Sequence, residues 1–575
     1  MSRNNQILLD EIIKQEKVDL DYTGTLSDFF EFYSALQVLK DYELSYDEIT
    51  SGIAGKSHDG GADSIFLFVN GDLIKDDKNE DEDKEKEKEN YDRYKKNVDI
   101  ELVVIQSKLT KSFSEEPLLK ISRLCRSLFD LDFDRKDFED RYNDRVLSSF
   151  ELFKKTYLGL ITKKPKLKVS IYYVSQGIDV HINVRNQAND LVTDIVSQLP
   201  SAKVEVNFVG AESLVKKSQE RPNDVFRLRV TETPISTSEQ VFIALTNLSN
   251  YYKFISHPDG KLIKHIFESN VRDYQGKTNV NNEIRETLEN LESEEFWWLN
   301  NGVTILASEV TAAGGKELVV HNPEIVNGLQ TSSEIHRFYS SNTDRAVNEK
   351  RDILIRVIVP ENEETRDRII RATNSQTPIP KSSLRATDQV HRQIEEYLKP
   401  RGLYYDRRKN FYKNQGKKPK EIVSVPFVSQ CLMSVLMQEP NSARARPSTL
   451  LEDDVSYSKL FHTDNELNTY YLVSLWGRRI EVYLKDTRNF SSTEISNIKF
   501  YVLYSVCCLL TESTYPNNKK ISIMSADTLT NEIIDRCIIL VNDIYQRLGG
   551  TDKVAKGSLF REELKLKIAE EIEIK

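Results

Sequence analysis

Residues 60–71 read GGADSIFLFVNG and residues 101–108 read ELVVIQSK. Both are short apolar runs of strand length. The first opens after two glycines and closes on Asn70-Gly71, a turn signal. If 63–69 and 100–106 pair as an antiparallel hairpin, the start of the first lies beside the end of the second. Asp63 then stands next to Gln106 and Lys108. Side chains alternate along a strand, so Gln106 and Lys108 share one face. The run between the strands, 75–97, is almost entirely Asp, Glu, Lys and Asn. It reads as a solvated insertion at the far tip, where extra length costs little closure entropy.

A carboxylate, an amide and an amine gathered in this way suit phosphodiester hydrolysis. A carboxylate oxygen holds a hard divalent cation, Mg²⁺ or Mn²⁺. The bound cation polarises a phosphoryl oxygen and acidifies a water. A lysine orients that water or stabilises developing negative charge. Asp63 and Lys108 supply these groups, and Gln106 adds a neutral oxygen.

Outward from this pair, residues 6–17 and 26–41 read as helices, the second with Ser27 as N-cap. A further helix is expected over 115–130, with strands over 166–176 and 203–209. Alternating helix and strand indicates an α/β domain over 1–220. From 225 to 385 the texture changes. Strands are expected near 302–308, 317–326 and 352–359, and helices over 239–248, 329–339 and 362–373. Residues 386–575 read as mainly helical, with a basic insert at 401–420.

The 575 residues suggest three or four domains, and 39% apolar residues with 26 Tyr and 24 Phe suffice for sizeable cores. A net charge of -10 argues against a generally basic binder, though a local basic patch is enough for nucleic acid. Five cysteines without C-x-x-C spacing suggest neither a disulfide framework nor a zinc site. The N-terminus lacks a basic-then-apolar leader, and the longest apolar stretch, 501–510, is too short to span a bilayer. The expectation is a cytoplasmic protein with no membrane contact. Walker A, G-x-S-x-G and H-E-x-x-H motifs are absent.

The motif GGADSIFLFVNG … ELVVIQSK resembles the PD-(D/E)xK nuclease superfamily, in its Mrr-like branch, where Q-x-K replaces the usual acidic-x-K. The resemblance implies a restriction-endonuclease-like α/β fold over 1–220. It also implies a glutamate on the preceding helix that completes the metal site. Glu31, in FFEFYSALQVL, sits where that residue belongs, although Glu48 also lies upstream on a helix-like stretch. The implied catalytic set is Glu31, Asp63, Gln106 and Lys108, with Glu31, Asp63 and Gln106 on the metal.

Four further segments resemble the AIPR (abortive infection phage resistance) family: NVRDYQG with VNNEI (270–284), FWWLNNGVTILA (296–307), IVNGLQTSSEIH (325–336) and RATNSQTPIPKSSLRA (371–386). The family's core is similar to the DGQHR/ParB-like fold, which implies an α+β central domain. The corresponding turn here, Asn327-Gly328-Leu329-Gln330-Thr331, lacks the aspartate and the His-Arg pair, so the resemblance leaves binding or hydrolysis of a nucleotide open. Asn300, Asn301, Asn327, Gln330, Thr331, Arg371, Asn374 and Gln376 are candidate ligand contacts, for a nucleotide or a phosphate backbone. Trp297 and Trp298 read as core or interface.

In RGLYYDRRKNFYKNQGKKPK (401–420), cations alternate with aromatics, which suits phosphates and unpaired bases. Arg401, Arg407, Arg408, Lys409 and Lys413 are the candidate nucleic-acid contacts. The overall expectation is a metal-dependent endonuclease cleaving DNA in anti-phage defence. The alternatives are a catalytically inactive nucleic-acid- or nucleotide-binding sensor, and an RNA-cleaving toxin. Expected partners are DNA or RNA, a nucleotide or phage-derived trigger, and further copies of the chain in a homo-oligomer.

Overall fold

A computed structural model describes residues 4–55, 57–75, 91, 94, 97–219, 225–237, 240–258, 260–263, 265–267, 279–290, 294–313, 315–341, 343–347, 349–374, 388–445, 453–462, 465–486 and 490–573. Most of the charged insertion, the segment 270–276 and Gln376 lie outside the described residues.

Helices α1 (Asn4–Asp19), α2 (Leu26–Val38) and α3 (Tyr46–Gly52) lead into a five-stranded sheet. Its strands are β1 (Ser64–Val69), β2 (Asp72–Leu73), β3 (Asp99–Lys108), β4 (Lys166–Ser175) and β5 (Lys203–Val209), in the order β2-β1-β3-β4-β5. β1 runs antiparallel to β3, while β3, β4 and β5 are parallel. All six residues of β1 are buried. The run is continuous rather than alternating because both faces are covered. Phe66, Phe68, Val103 and Ile105 pack against α1, α2 and the helix Ala211–Gln219. Ile65, Leu67, Leu102 and Val104 pack against the helices Glu116–Leu128, Asp144–Gly159 and Ile182–Gln198. The N-cap of α2 is Thr25 rather than Ser27. Thr25 and Asp28 form a reciprocal capping box, each side chain accepting from the other's backbone N–H.

Two smaller sheets follow. Their strands are β6 (Val225–Arg229), β7 (Ile235–Thr237), β8 (Val241–Asn247), β9 (Val303–Leu306), β10 (Glu309–Ala313), β11 (Glu317–His321), β12 (Glu324–Asn327) and β13 (Asp352–Ile358). One sheet has the order β10-β11-β6 and the other β12-β9-β13-β8-β7. The helix expected over 239–248 is strand β8. Its V-F-I-A-L-T run pairs along its full length with β13, and Asn247 then caps the helix Leu248–Phe254. β-Branched and aromatic residues tip a short apolar run towards strand once a partner is present. The single strand expected over 317–326 is two strands in different sheets, broken where Asn322 adopts a positive φ of 48°.

A helical region follows, with the helices Val425–Leu436, Leu467–Asp486, Ser492–Thr511, Asn531–Arg547 and Ser558–Glu573 around Trp476, Tyr501, Tyr504 and Tyr545. All five cysteines are buried and free, and burial pushes the Cys431 and Cys508 thiols up to about 12. Among the described residues no helix is long and apolar enough to cross a membrane.

Candidate functional site

The β1–β3 register pairs Ser64 with Ile105, so one step further Asp63 faces Gln106. Gln106 Nε2 donates to Asp63 Oδ2 at 2.6 Å. Ser107 donates to the same oxygen through its backbone N–H at 2.6 Å and its hydroxyl at 3.0 Å. No donor among the described residues reaches Asp63 Oδ1. Asp63 is 3% exposed and Gln106 is fully buried. Gln106 Oε1 is buried without a hydrogen-bond partner. Such an orphaned acceptor needs an explanation, and an unseen ion is one.

The double glycine before the strand is a steric requirement. Gly61 has a φ of 90°, and its N–H donates to Asp59 Oδ1 at 2.7 Å. A Cβ there would stand 3.0 Å from Gln106 Oε1 and 3.0 Å from Lys120 Cβ. Gly61→Ala is expected to cost about 1–3 kcal/mol, from left-handed strain and displacement of the Gln106 carboxamide. Chemical denaturation of both proteins checks it, and an unchanged midpoint would mean that the turn relaxes freely.

Glu31 projects from α2 into the same electrostatic environment. Burial raises its pKa to about 8, reinforced by Asp63, Asp28 and Asp59 and opposed by Lys108. Burial likewise raises Asp63 to about 6, opposed by Lys108 and the Ser107 N–H and reinforced by Asp59. Glu31 and Lys108 form no hydrogen bond or ion pair with side chains among the described residues. Glu48, the other upstream acid, is used elsewhere. It completes the capping box of α3 and pairs with Lys75 at 3.2 Å and Lys409 at 3.1 Å. Burial alone would raise its pKa, but the two lysines hold it at about 2. Ser107 and Asp59 also belong to this constellation, and sequence reading passes over them. The middle letter of Q-S-K and the D-x-x-x-D spacing of DGGAD are the signals that point to them.

The raised pKa values have a consequence for stability. Both carboxyls hold protons in the fold at pH values where the unfolded chain has lost them. Stability from these groups is present at low pH and is lost as pH rises through about 6 and then about 8. With chelator present, melting temperature should fall over that window. A divalent cation should restore it, because the cation binds the ionised carboxylates and competes with protons. Glu31→Gln should flatten the upper part, gaining about 1–3 kcal/mol at the alkaline end. Thermal melts across pH, with EDTA or Mg²⁺, check this. A metal-independent rise in stability with pH would contradict it.

Among the described residues no three His, Cys, Asp or Glu side chains cluster as a metal site. Glu31, Asp63 and Gln106 together offer two carboxylates and an amide oxygen, a set poorer in charge than such clusters. A cavity of about 540 Å³ lies elsewhere, lined by Ser45, Arg145, Lys409, Phe427 and Lys499 where the first domain meets the helical region. Glu31, Asp63, Gln106, Ser107 and Lys108 do not line it.

The central candidates divide. Asn327 ends β12, and Gly328, with a φ of 101°, starts the helix Leu329–Ser340, which carries Gln330 and Thr331 in its first turn. Gln330 accepts from Asn281 Nδ2 at 2.9 Å. Asn301 is exposed before β9, and Asn300 donates to Phe296 O at 2.9 Å. Arg371 pairs with Asp388 at 3.4 Å. Asn374 ends the helix Glu363–Asn374. Trp297 and Trp298 meet edge to face, but Trp298 is 63% exposed rather than packed in a core.

The basic insert is turned inwards at Arg407, while Arg401 and Lys409 stay exposed. Arg407 is buried between Asp367 at 3.1 Å and Glu395 at 3.0 Å. Arg408 pairs with Glu363 at 3.2 Å and stacks on Phe411. Arg401 lies over the Tyr397 ring, Lys409 pairs with Glu48, and Lys413 donates to Leu44 O. The segment contains β14 (Tyr404–Asp406), which pairs with β15 (Ile422–Ser424) just beyond it, and it reaches the first domain through Lys409 to Glu48, Asn410 to Glu43 O and Lys413 to Leu44 O. Arg407 in particular is not at a surface where nucleic acid could reach it. Acids distant along the chain pair with Arg407, Arg408 and Lys409, whereas Arg401 and Lys413 meet backbone carbonyls and aromatic rings.

Residues 267–547 match the family model described as AIPR protein. That stretch, a little under half of the chain, is similar to the AIPR family. It runs from the central sheets through the helix Asn531–Arg547, and the Asp63 constellation lies outside it. Searches of curated proteins and of solved structures give no match.

Proposed function

We propose that the N-terminal α/β domain is a metal-dependent endonuclease serving phage defence, coupled to an AIPR region that binds a regulatory ligand. The AIPR match supports the defence role. The observation that carries the enzymatic reading is the junction of β1 and β3. There a buried carboxylate is hydrogen-bonded to an amide whose own oxygen is orphaned, while Lys108, with no ion pair among the described residues, and Glu31, with its strongly raised pKa, interact electrostatically with that carboxylate. Unspent charges and perturbed carboxyls concentrated at one place mark a working site rather than a stabilising one.

Asp63 Oδ1, Gln106 Oε1 and Glu31 would hold the cation. Bound there, Mg²⁺ or Mn²⁺ would supply Lewis-acid polarisation of the scissile phosphate and an acidified water. Ser107 and Gln106 fix the Asp63 carboxylate by donating to Oδ2. Lys108 places its ammonium at the phosphate, where negative charge grows. The test is incubation of the full chain and of Lys108→Met with plasmid DNA and with RNA, under Mg²⁺, Mn²⁺ or EDTA. Metal-dependent cleavage by the parent, lost by at least about 100-fold in Lys108→Met, is the expected result. Cleavage of RNA alone would favour a toxin. Tight binding without cleavage of either would leave a sensor.

A further inference from the structure

The AIPR region has its own unspent cation. Thr304 on β9 and Arg356 on β13 are register partners in parallel strands, so both side chains leave the sheet on the same face. Asn327, after the irregularity in β12, is the partner of Thr304 on its other side. The three form a polar row across three adjacent strands. Further along this face Leu306, Val326 and Ile358 pack with Ile369 and Ile370 of the helix Glu363–Asn374, and Glu324, the register partner of Leu306, is paired with Arg366. Beyond Arg356 the next strand presents Ile243, 36% exposed, so the row borders solvent on that side.

Two polar atoms in the row are buried without partners. Thr304 is 1% exposed and its hydroxyl has no hydrogen bond. Arg356 Nε is buried and unbonded, and its guanidinium forms no ion pair among the described residues. The contrast with other arginines of the region is direct. Arg285 binds Glu334 at 2.6 Å, Arg351 binds Glu349 at 2.8 Å and Arg366 binds Glu324. A guanidinium on the same face as a buried hydroxyl and an amide, with no ion pair among the described residues and with Glu324 of that face already paired to Arg366, presents the donor set that suits an anion with several oxygens.

We infer that Arg356, Thr304 and Asn327 form a binding site for a phosphate group, carried by a nucleotide or by a nucleic-acid backbone. This deepens the reading of the AIPR region as ligand-binding and is independent of the nuclease reading. Arg356 supplies the charge, Thr304 a hydroxyl donor, and Asn327 an amide that fixes orientation.

The full chain carrying Asp63→Asn, kept in EDTA so that no probe is consumed, is titrated with inorganic pyrophosphate, ribonucleoside triphosphates, and single-stranded and duplex oligonucleotides. At least one phosphorylated probe should bind, and Arg356→Gln and Thr304→Val should each weaken it about tenfold. Binding confined to triphosphates assigns the nucleotide, and binding confined to oligonucleotides assigns the backbone. Thr304→Val has a second readout. It replaces an unpartnered buried hydroxyl by a methyl, so the ligand-free protein should melt at the same or a higher temperature. A hydroxyl serving the fold would instead lower it. The inference is overturned if no probe binds, if both variants bind like the parent, or if Thr304→Val lowers the ligand-free melting temperature. Failure of the nuclease reading shows instead as a parent chain that cleaves nothing, and leaves these titrations unaffected.

Discussion

Asp63→Asn is expected to abolish metal-dependent cleavage, by about 1,000-fold or more, without unfolding the protein. The two effects separate for a physical reason. The asparagine carbonyl is isosteric with the carboxylate oxygen that accepts from the Ser107 N–H and hydroxyl. The hydrogen-bonded junction of β1 and β3 therefore survives. What disappears is the negative charge that would hold a hard cation. Burial opposes ionisation of Asp63 and raises its pKa to about 6, so removing the charge also removes a destabilising element above that pH. The variant should melt at or above the parent temperature near pH 8 in EDTA and should lose the stabilisation by Mg²⁺. Cleavage at parental rates would remove Asp63 from the site. A lowered melting temperature in EDTA would make it a structural carboxylate.

Arg407→Ala should destabilise the chain by about 3 kcal/mol, towards the lower end of the range for breaking a buried ion pair. The guanidinium is 3% exposed and bridges Asp367, itself 3% exposed in its side chain, to Glu395. Its loss leaves the buried Asp367 and the half-buried Glu395 carboxylates without the cation between them. Arg366 and Arg392 lie 3.6 and 3.7 Å from Asp367 and moderate the cost. Denaturant titration reads the loss directly. A nucleic-acid contact would behave differently: stability would be unchanged, and the salt dependence of DNA binding would fall by about one unit of slope. Obtaining that second pattern would return Arg407 to the surface.

These two residues mark how far the sequence can be read. Asp63 and Gln106 are legible as neighbours because two apolar runs joined by one connection have few ways to pair, and antiparallel pairing sets their ends together. Glu31 is not decidable from spacing, since Glu48 satisfies the same order along the chain. The packing of α2 and α3 separates the two, turning Glu48 to Lys75 and Lys409, while Glu31 is the one whose raised pKa is reinforced by Asp63. Strand β8 reads as a helix because V-F-I-A-L has apolar residues compatible with either period, and its partner β13 lies far along the chain. Arg356 and Thr304 carry no local signal, since an arginine in a strand and a threonine between apolar residues are ordinary.

Hydrophobic period and turn residues act over a few positions. They were enough to give the alternation of helix and strand in the first domain, the paired ends that carry Asp63, Gln106 and Lys108, and the helical character of the last third. Which charges are spent and which stay free followed from three-dimensional packing alone. A lysine or arginine is neutralised by whichever carboxylate the fold brings within about 4 Å, and that distance has no counterpart in sequence separation.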